Sequence, residues 1–135
     1  MRVFLDANIL FSGAQSHSRM RAFLALLFKH GDCVTNACAV EEARRNLELK
    51  CPADLRHLDG LVKKCELIPA VVTEQEVALP SKDVPILGGA MAGQATHLLT
   101  GDEHDFGVYF GKTIQGVKIV SPRMLADELV RLGLL

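Results

Sequence analysis

The sequence predicts an α/β fold, in the form of a three-layer α/β/α sandwich around a central parallel five-stranded sheet. Short apolar runs alternate along the chain with longer stretches in which apolar residues recur at helical spacing. No linker, internal repeat or low-complexity tract divides the 135 residues, which are enough to bury a core. We therefore expect one domain covering residues 1–135.

Five short apolar runs are expected to form the strands. The first, Arg2–Leu5, is mostly apolar, which is typical of a central strand covered on both faces. The later runs are similarly short and alternate with helical patterns, which favours parallel pairing. In chain order, the predicted strands lie at Arg2–Leu5, at Asp32–Thr35, within Glu66–Val71, at Thr96–Thr100 and at Val117–Val120.

The helices are predicted from apolar spacing and from residues that favour helix ends. Ser18 is suited to begin a helix and Gly31 to end it, while Thr35 or Asn36 caps the next one. The pair Ser121–Pro122 is a typical start for the last helix. The predicted helical segments are a turn at Asn8–Gly13 and helices at Arg19–Lys29, from residue 36 to about Lys50, at Asp54–Lys64, at Val84–Ala92 and from Pro122 to Leu132. Residues 72–82 and 102–112 are expected to be connections, the former with room for one helical turn.

Composition excludes several classes of protein. The chain is 49% hydrophobic and 23% charged, with a formal net charge of −1, so nucleic acid would have to bind a local basic patch. Apolar runs such as Ala22–Phe28 are too short to span a bilayer, and the start Met1–Asp6 does not look like a signal peptide. We therefore expect a cytoplasmic protein. Without C-x-x-C spacing, we expect reduced and mostly buried thiols rather than disulfides or zinc at Cys33, Cys38, Cys51 and Cys65.

Carboxylates occur where strands are predicted to end or helices to begin. Asp6 follows the first strand, Asp102 follows the fourth, and Asp105 comes three residues later. Glu42 and Asp83 lie at or near the starts of two helices. Because ligands bind at the carboxyl ends of parallel strands, these acids can converge on one edge of the sheet. Crowded carboxylates favour a hard divalent cation, which can act on a phosphodiester.

Each of these acids also has an ordinary structural interpretation. Helix caps, turns and solvated first-turn charges are the common roles of such residues. This alternative applies to Asp6, Asp83, Asp102, Asp105 and the adjacent pair Glu41 and Glu42. Asn8 and Thr100 are expected to support or cap rather than to bind metal. Arg44 and Arg45 are expected on a solvated helix face, with phosphate contacts as the alternative, and His104 is expected to be an exposed loop residue.

Other catalytic arrangements are not favoured. The chain has no Walker A loop and no G-x-G-x-x-G sequence, and its histidines lack metal-ligand spacing. A phosphohydrolase of the haloacid-dehalogenase type also has an aspartate after its first strand. That chemistry requires a second aspartate two residues later, and this chain has Asn8 there.

Taken in order, the motifs resemble those of the PIN-domain ribonucleases, a family that includes the VapC-type toxins of bacterial toxin–antitoxin pairs. The four acidic motifs in succession are specific, although any one alone is weak. The resemblance covers nearly the whole chain. It lies in Leu5–Leu10, the helix that carries Glu42, Asp83–Leu87, Leu99–Phe106 and Ile119–Pro122.

This resemblance implies a PIN-like sandwich and Mg²⁺- or Mn²⁺-dependent cleavage of RNA. The catalytic and metal-binding roles would fall on Asp6, Glu42, Asp83 and Asp102, with Asp105 as an additional metal ligand. Glu41 is the alternative to Glu42, which is preferred because it directly precedes the apolar Ala43. The implied partners are an RNA substrate, a neutralising antitoxin protein and a second copy of the chain, with no membrane. A non-catalytic PIN-like module that binds RNA or protein is the alternative.

Overall fold

The computed structural model describes residues 1–69 and 78–135. Within these residues, six strands form one sheet in the order β3-β2-β1-β4-β6-β5. All neighbouring pairs are parallel except β5 and β6, which are antiparallel. The strands are β1 Arg2–Leu5, β2 Asp32–Asn36, β3 Glu66–Ile68, β4 His97–Leu99, β5 Thr113–Ile114 and β6 Val117–Val120.

Seven α-helices connect or follow these strands in the described part of the chain. Their starts use the expected caps, since Ser18, Asn36 and Ser121 each accept a backbone N–H of the first turn. No described helix is long and apolar enough to cross a membrane. The helices are α1 Ala7–Ala14, α2 Arg19–His30, α3 Ala37–Lys50, α4 Leu55–Val62, α5 Val84–Ala92, α6 Glu103–Phe106 and α7 Pro122–Arg131.

The predicted parallel five-stranded sheet is corrected by the additional strand β5. This strand has two residues and pairs with β6 through the two-residue turn Gln115–Gly116. Both turn residues have positive φ, at 48° and 88°, as a tight turn between antiparallel strands requires. Because so short a run shows no alternation in the sequence, the prediction missed it.

Several predicted boundaries also change. The turn expected at Asn8–Gly13 is the complete helix α1, and the loop expected at 102–112 contains α6 and the 3₁₀ turn Gly107–Tyr109. The helix expected at Asp54–Lys64 is preceded by a 3₁₀ turn and ends at Val62. Residues 70–77, which include the end of the predicted third strand and half of the 72–82 connection, lie outside the described residues. The four cysteines are free thiols, but only Cys33 is buried.

Helices cover both faces of the sheet. Phe4 and Val34 are in register and share one face, where Gly89 of α5 approaches so closely that an added Cβ would lie only 3.0 Å from the Phe4 ring. On the other face, His97 of β4 bonds to Glu128 of α7. Because both faces are covered, the central strands are buried almost throughout, which confirms the α/β class. The finer description as a PIN-like sandwich is not confirmed.

The parallel register brings the chain segments after β1 and β4 together. Leu5 pairs with Leu99, and the Asp6 N–H donates to the Leu99 carbonyl at 3.1 Å. Leu99 in turn pairs with Val120 of β6. The residues that follow these strands therefore share one edge of the sheet.

Candidate metal centre

An open acidic pocket lies at the carboxyl ends of β1 and β4. Its cavity has a volume of about 250 Å³. It contains all four acids that were predicted to be catalytic, and these come from four separate segments of the chain. The lining residues are Asp6, Ala7, Asn8, Glu42, Asn46, Lys82, Asp83, Gly101 and Asp102.

Asp6 is buried where β1 passes into α1. Its Oδ1 accepts the Ala7 N–H at 2.6 Å, so Asp6 is also the N-cap of α1. Its Oδ2 accepts the Thr100 hydroxyl at 2.8 Å and the Asn8 amide at 3.3 Å. Burial raises the pKa of Asp6 to about 6, although the bond from Thr100 lowers it. The carboxylate is therefore held in one position at a cost in desolvation.

Asn8 and Thr100 brace this carboxylate, as the sequence predicted for supporting residues. The Asn8 amide also donates to Thr100 Oγ1 at 3.3 Å, and Asn8 Oδ1 accepts the Gly101 N–H at 2.8 Å. Thr100 Oγ1 accepts the Asp102 N–H at 3.1 Å. These bonds join the segment after β1 to the segment after β4.

Asp83 is buried just before α5 but does not cap this helix. Its backbone has φ −96° and ψ −12°, and its side chain makes no capping hydrogen bond. Among the described residues, no group donates a hydrogen bond to its buried Oδ2. Burial raises the pKa of Asp83, and so do a hydrogen bond that it shares with the Asp105 side chain and the charge of Asp6. The capping interpretation of this residue is therefore not supported.

Asp102 and Asp105 lie together at the start of α6. Asp102 Oδ1 accepts the Asp105 N–H at 3.0 Å and so caps the helix. The Asp105 carboxylate lies 2.8 Å from His104 Nδ1 and 3.4 Å from Lys82 Nζ. Asp83, Asp102 and Asp105 each present a carboxylate oxygen, and these oxygens all lie within 4.8 Å of one another.

The geometry separates the two adjacent glutamates on α3. Glu42 is half-buried and lines the acidic pocket, whereas Glu41 is exposed and lines a neighbouring groove but not this pocket. Asn46, one helical turn after Glu42, lines the same pocket. The sequence left open whether Glu41 or Glu42 belongs to the site, and the geometry favours Glu42. Its role as a metal ligand stays a prediction.

Asn36 fixes the separation of the helices that carry Glu42 and Asp83. Its Oδ1 accepts the Ala39 N–H in the first turn of α3, and its Nδ2 donates to the Pro85 carbonyl in the first turn of α5, both at 3.0 Å. Asn36 is fully buried, and Gly89 leaves the space that its amide occupies. One side chain therefore links two walls of the pocket.

The donor set fits a hard divalent cation. The three close carboxylates offer only oxygen, and the buried Asp83 Oδ2 lacks a hydrogen-bond donor in the described structure. Asp6 and Glu42 line the same pocket. The arrangement suits Mg²⁺ or Mn²⁺, and the ligand roles of all five predicted acids remain predictions.

Sequence reasoning missed Lys82 and Asn46 as pocket residues. Asn46 lies four residues after Glu42, a spacing that places both on one helix face and that could have revealed it. Lys82 had no comparable signal. Of the other polar residues considered, His104 is almost fully exposed, and Arg44 pairs with Asp59 at 3.3 Å.

Comparison with known proteins gives a fold but no family. No family model matches the chain, and no curated protein matches it. A crystal structure of VapBC2 from Rickettsia felis, bound to a DNA fragment from their promoter, is similar with a TM-score of 0.65 at 17% identity, covering 90% of this chain and 98% of that chain. The crystal structure of FitAcB from Neisseria gonorrhoeae has a TM-score of 0.58 at 17% identity, with the same coverage.

The expected membership of the PIN-domain ribonuclease family is corrected by these comparisons. The similar structures are of VapBC2 and FitAcB, and at 17% identity they share the fold alone with this chain. The motif order that led to the expectation matches no family model. The chain therefore shares the fold of these structures and is not assigned to a family.

Proposed function

We propose that this chain is a divalent-metal-dependent endoribonuclease that hydrolyses RNA phosphodiester bonds. The observation that carries the proposal is the convergence of carboxylates from four chain segments on one pocket, where no described residue donates a hydrogen bond to the buried Asp83 Oδ2. Burying carboxylates in this way opposes folding, so a role in function is the simplest reason for them.

The proposed roles follow from the geometry. Asp83, Asp102 and Asp105 would hold the cation, and Asp6 and Glu42 would complete the donor set around the pocket. The bound cation would activate water and stabilise charge on the phosphoryl oxygens. The hydrogen bonds from Thr100 and Asn8 keep Asp6 in place before substrate binds, which limits reorganisation during the reaction.

The pocket is suited to a phosphodiester rather than to a large apolar ligand. It is open and polar, and Lys82 supplies a cationic group beside the acids. A neighbouring groove of about 520 Å³ continues from the shared residues Glu42 and Lys82 and includes Arg45. Room and positive charge next to the acidic pocket support a polynucleotide strand as the substrate.

The decisive experiment is cleavage of a mixed pool of labelled RNAs with Mg²⁺, with Mn²⁺ and with EDTA. We expect metal-dependent cleavage by the wild type and a loss of about 100-fold or more in Asp6→Asn, which keeps a capping oxygen. Asp59→Asn is the matched control because Asp59 is exposed and pairs with Arg44 outside the pocket. Equal cleavage by wild type and Asp6→Asn would contradict the proposal, and cleavage of labelled DNA alone would correct the substrate.

We also propose that the chain works in the context of a toxin–antitoxin pair, with an antitoxin protein as its partner. VapBC2 and FitAcB, which are antitoxin–toxin complexes, support this context. Self-association into a homodimer belongs to the same proposal. Light scattering of the purified chain, alone and with the product of a neighbouring gene, tests both points.

A non-catalytic binding module is the second candidate. Both oxygens of Asp6 already accept hydrogen bonds within the protein, as in a purely structural cap. Binding of Mn²⁺ and RNA without turnover on any RNA of the pool would favour this candidate over the nuclease.

A further inference from the structure

Lys82 occupies a distinctive place in the acidic pocket. Among the described residues that line this pocket, it is the only cation beside four carboxylates. Its Nζ lies 3.4 Å from Asp105 Oδ2, and the Asp105 side chain is only 7% exposed, whereas that of Lys82 is 59% exposed. The ammonium therefore reaches from solvent onto one of the three close carboxylates.

The backbone around Lys82 is held in place by the protein. The Asp83 N–H donates to the Pro80 carbonyl at 2.9 Å, which closes a turn around Lys82. The Tyr109 hydroxyl donates to the Ala78 carbonyl at 3.2 Å, and Leu79 packs against the core. The stem of Lys82 thus starts from a fixed point, while its four-carbon chain leaves the ammonium free to change partners.

Lys82 also belongs to the neighbouring groove. It lines that groove together with Arg45, Glu41, Glu42 and Pro85. One ammonium can therefore contact either the acids or a strand entering along the groove. A divalent cation beside Asp105 would repel this ammonium and release it towards such a strand.

We propose that Lys82 offsets the charge of the Asp83, Asp102 and Asp105 carboxylates in the metal-free protein and contacts a phosphate of the substrate when a divalent cation is bound. The contact with a substrate phosphate, which is the second half of this inference, rests on the proposed function. Its first half concerns the free protein and cation binding, and is tested without turnover.

The first test is calorimetric titration of the full chain with Mn²⁺. Because an exposed ammonium competes with the cation only weakly, we expect Lys82→Met to bind Mn²⁺ about threefold to tenfold more tightly than the wild type. Lys82→Arg keeps the charge and is expected to behave like the wild type. Lys118→Met is the matched control, because Lys118 also lies near a carboxylate, at 3.6 Å from Glu128, but away from the pocket.

The second test measures RNA cleavage by the same variants at saturating Mn²⁺. Loss of one phosphate contact is expected to raise KM about threefold to tenfold in Lys82→Met, with kcat nearly unchanged, and Lys82→Arg is expected to restore KM. A purely structural lysine would not strengthen Mn²⁺ binding and at the same time raise KM for RNA. Thermal unfolding of each variant checks that it is folded.

The outcomes separate this inference from the proposed nuclease. Unchanged or weaker Mn²⁺ binding by a folded Lys82→Met would overturn the inference, whatever the wild type does to RNA. Tighter Mn²⁺ binding without cleavage of any RNA would support the charge-offsetting role and overturn the phosphate contact and the nuclease. A wild type that binds no Mn²⁺ would overturn both proposals.

Discussion

Two regions at opposite ends of β4 hold buried or half-buried carboxylates and differ in how much positive charge lies beside them. Near the start of the strand, Glu128 Oε1 bonds to His97 at 3.0 Å, and its Oε2 lies 3.6 Å from Lys118. Burial acts to raise the pKa of Glu128, but the bond from His97 and the two charges lower it below its usual range. Beyond the end of the strand, burial raises the pKa of Asp6 and of Asp83.

The difference separates a structural site from a candidate functional one. Glu128 Oε2 is also buried without a hydrogen-bond partner among the described residues, but Lys118 lies within ion-pair distance and His97 bonds to the other oxygen, so the folded chain itself lowers the pKa of this carboxyl. The acidic pocket has more carboxylates and, among the described residues that line it, one exposed lysine. A site for an external cation requires such an excess of negative charge that the protein itself does not balance. Removing a charge should therefore have opposite consequences in the two regions.

The largest expected effect is on cleavage by Asp83→Asn. Because this change removes one of the three close carboxylates, we expect metal-dependent cleavage to fall by about 100-fold or more. The metal-free variant is expected to be at least as stable as the wild type at neutral pH, since the raised pKa of Asp83 means that folding of the wild type requires this carboxyl to take up a proton, which asparagine does not need. Cleavage rates and urea unfolding in EDTA measure the two effects. Wild-type cleavage in a folded Asp83→Asn would remove this residue from the site.

The next effect is a pH dependence of stability that Asp6 produces. Its pKa rises from 3.8 in the unfolded chain to about 6 in the folded one, so the unfolded chain releases this proton first as pH rises. The charged Asp6 therefore destabilises the fold progressively between these values, and fully above them, by about 3 kcal/mol.

Urea unfolding of wild type and Asp6→Asn in EDTA, from pH 4 to pH 7, measures this contribution. We expect the stability of the wild type to decrease relative to that of the variant over this range. Glu128 is expected to act in the opposite direction, because its lowered pKa contributes stability that is lost as pH falls below its usual value of 4.5. A difference between wild type and Asp6→Asn that stays constant with pH would contradict the assignment to Asp6.

The smallest effect is on stability in the structural region. Glu128→Ala leaves His97 and Lys118 without their acceptor, so we expect a loss of about 1–2 kcal/mol in the free energy of unfolding. Cleavage per folded molecule should be unchanged. Glu128→Gln serves as the control, because it keeps an acceptor for His97 and should lose less. A gain in stability in Glu128→Ala would show that this region, too, holds an uncompensated charge.

The sequence predicted much of the fold because helix ends and central strands leave local signals. Ser18, Asn36 and Ser121 cap their helices as expected, and β1 and β6 have their predicted bounds. Strand β5 was missed because two residues carry no periodicity, and its pairing depends on a turn with positive φ. The α/β class was thus predictable from the sequence. Strand β5 was not, because it forms only through its pairing with β6.

The site was predictable to the extent that it follows strand ends. Asp6 directly follows β1, and Asp102 lies shortly after β4. Because these two strands are parallel neighbours in the sheet, the convergence of the two acids follows from the topology. Lys82 was not predictable, because its place depends on contacts such as that between Tyr109 and Ala78, which are 31 residues apart. The family inference was wrong because acids at the ends of parallel strands are placed there by the fold and do not identify a family. Their order along the chain matches no family model.

The hydrogen bonds of Asn36 connect α3 to α5 and so affect how the spacing of the acids in the pocket can change. Because its amide joins the first turns of α3 and α5, the gap between Glu42 and Asp83 is set by a residue that is itself not an acid of the site. Gly89 makes room for that amide, so a methyl group added there would displace the amide or α5 and disturb the link. The spacing of charge in the pocket can therefore be tuned from the interior of the protein, with every acidic side chain left in place.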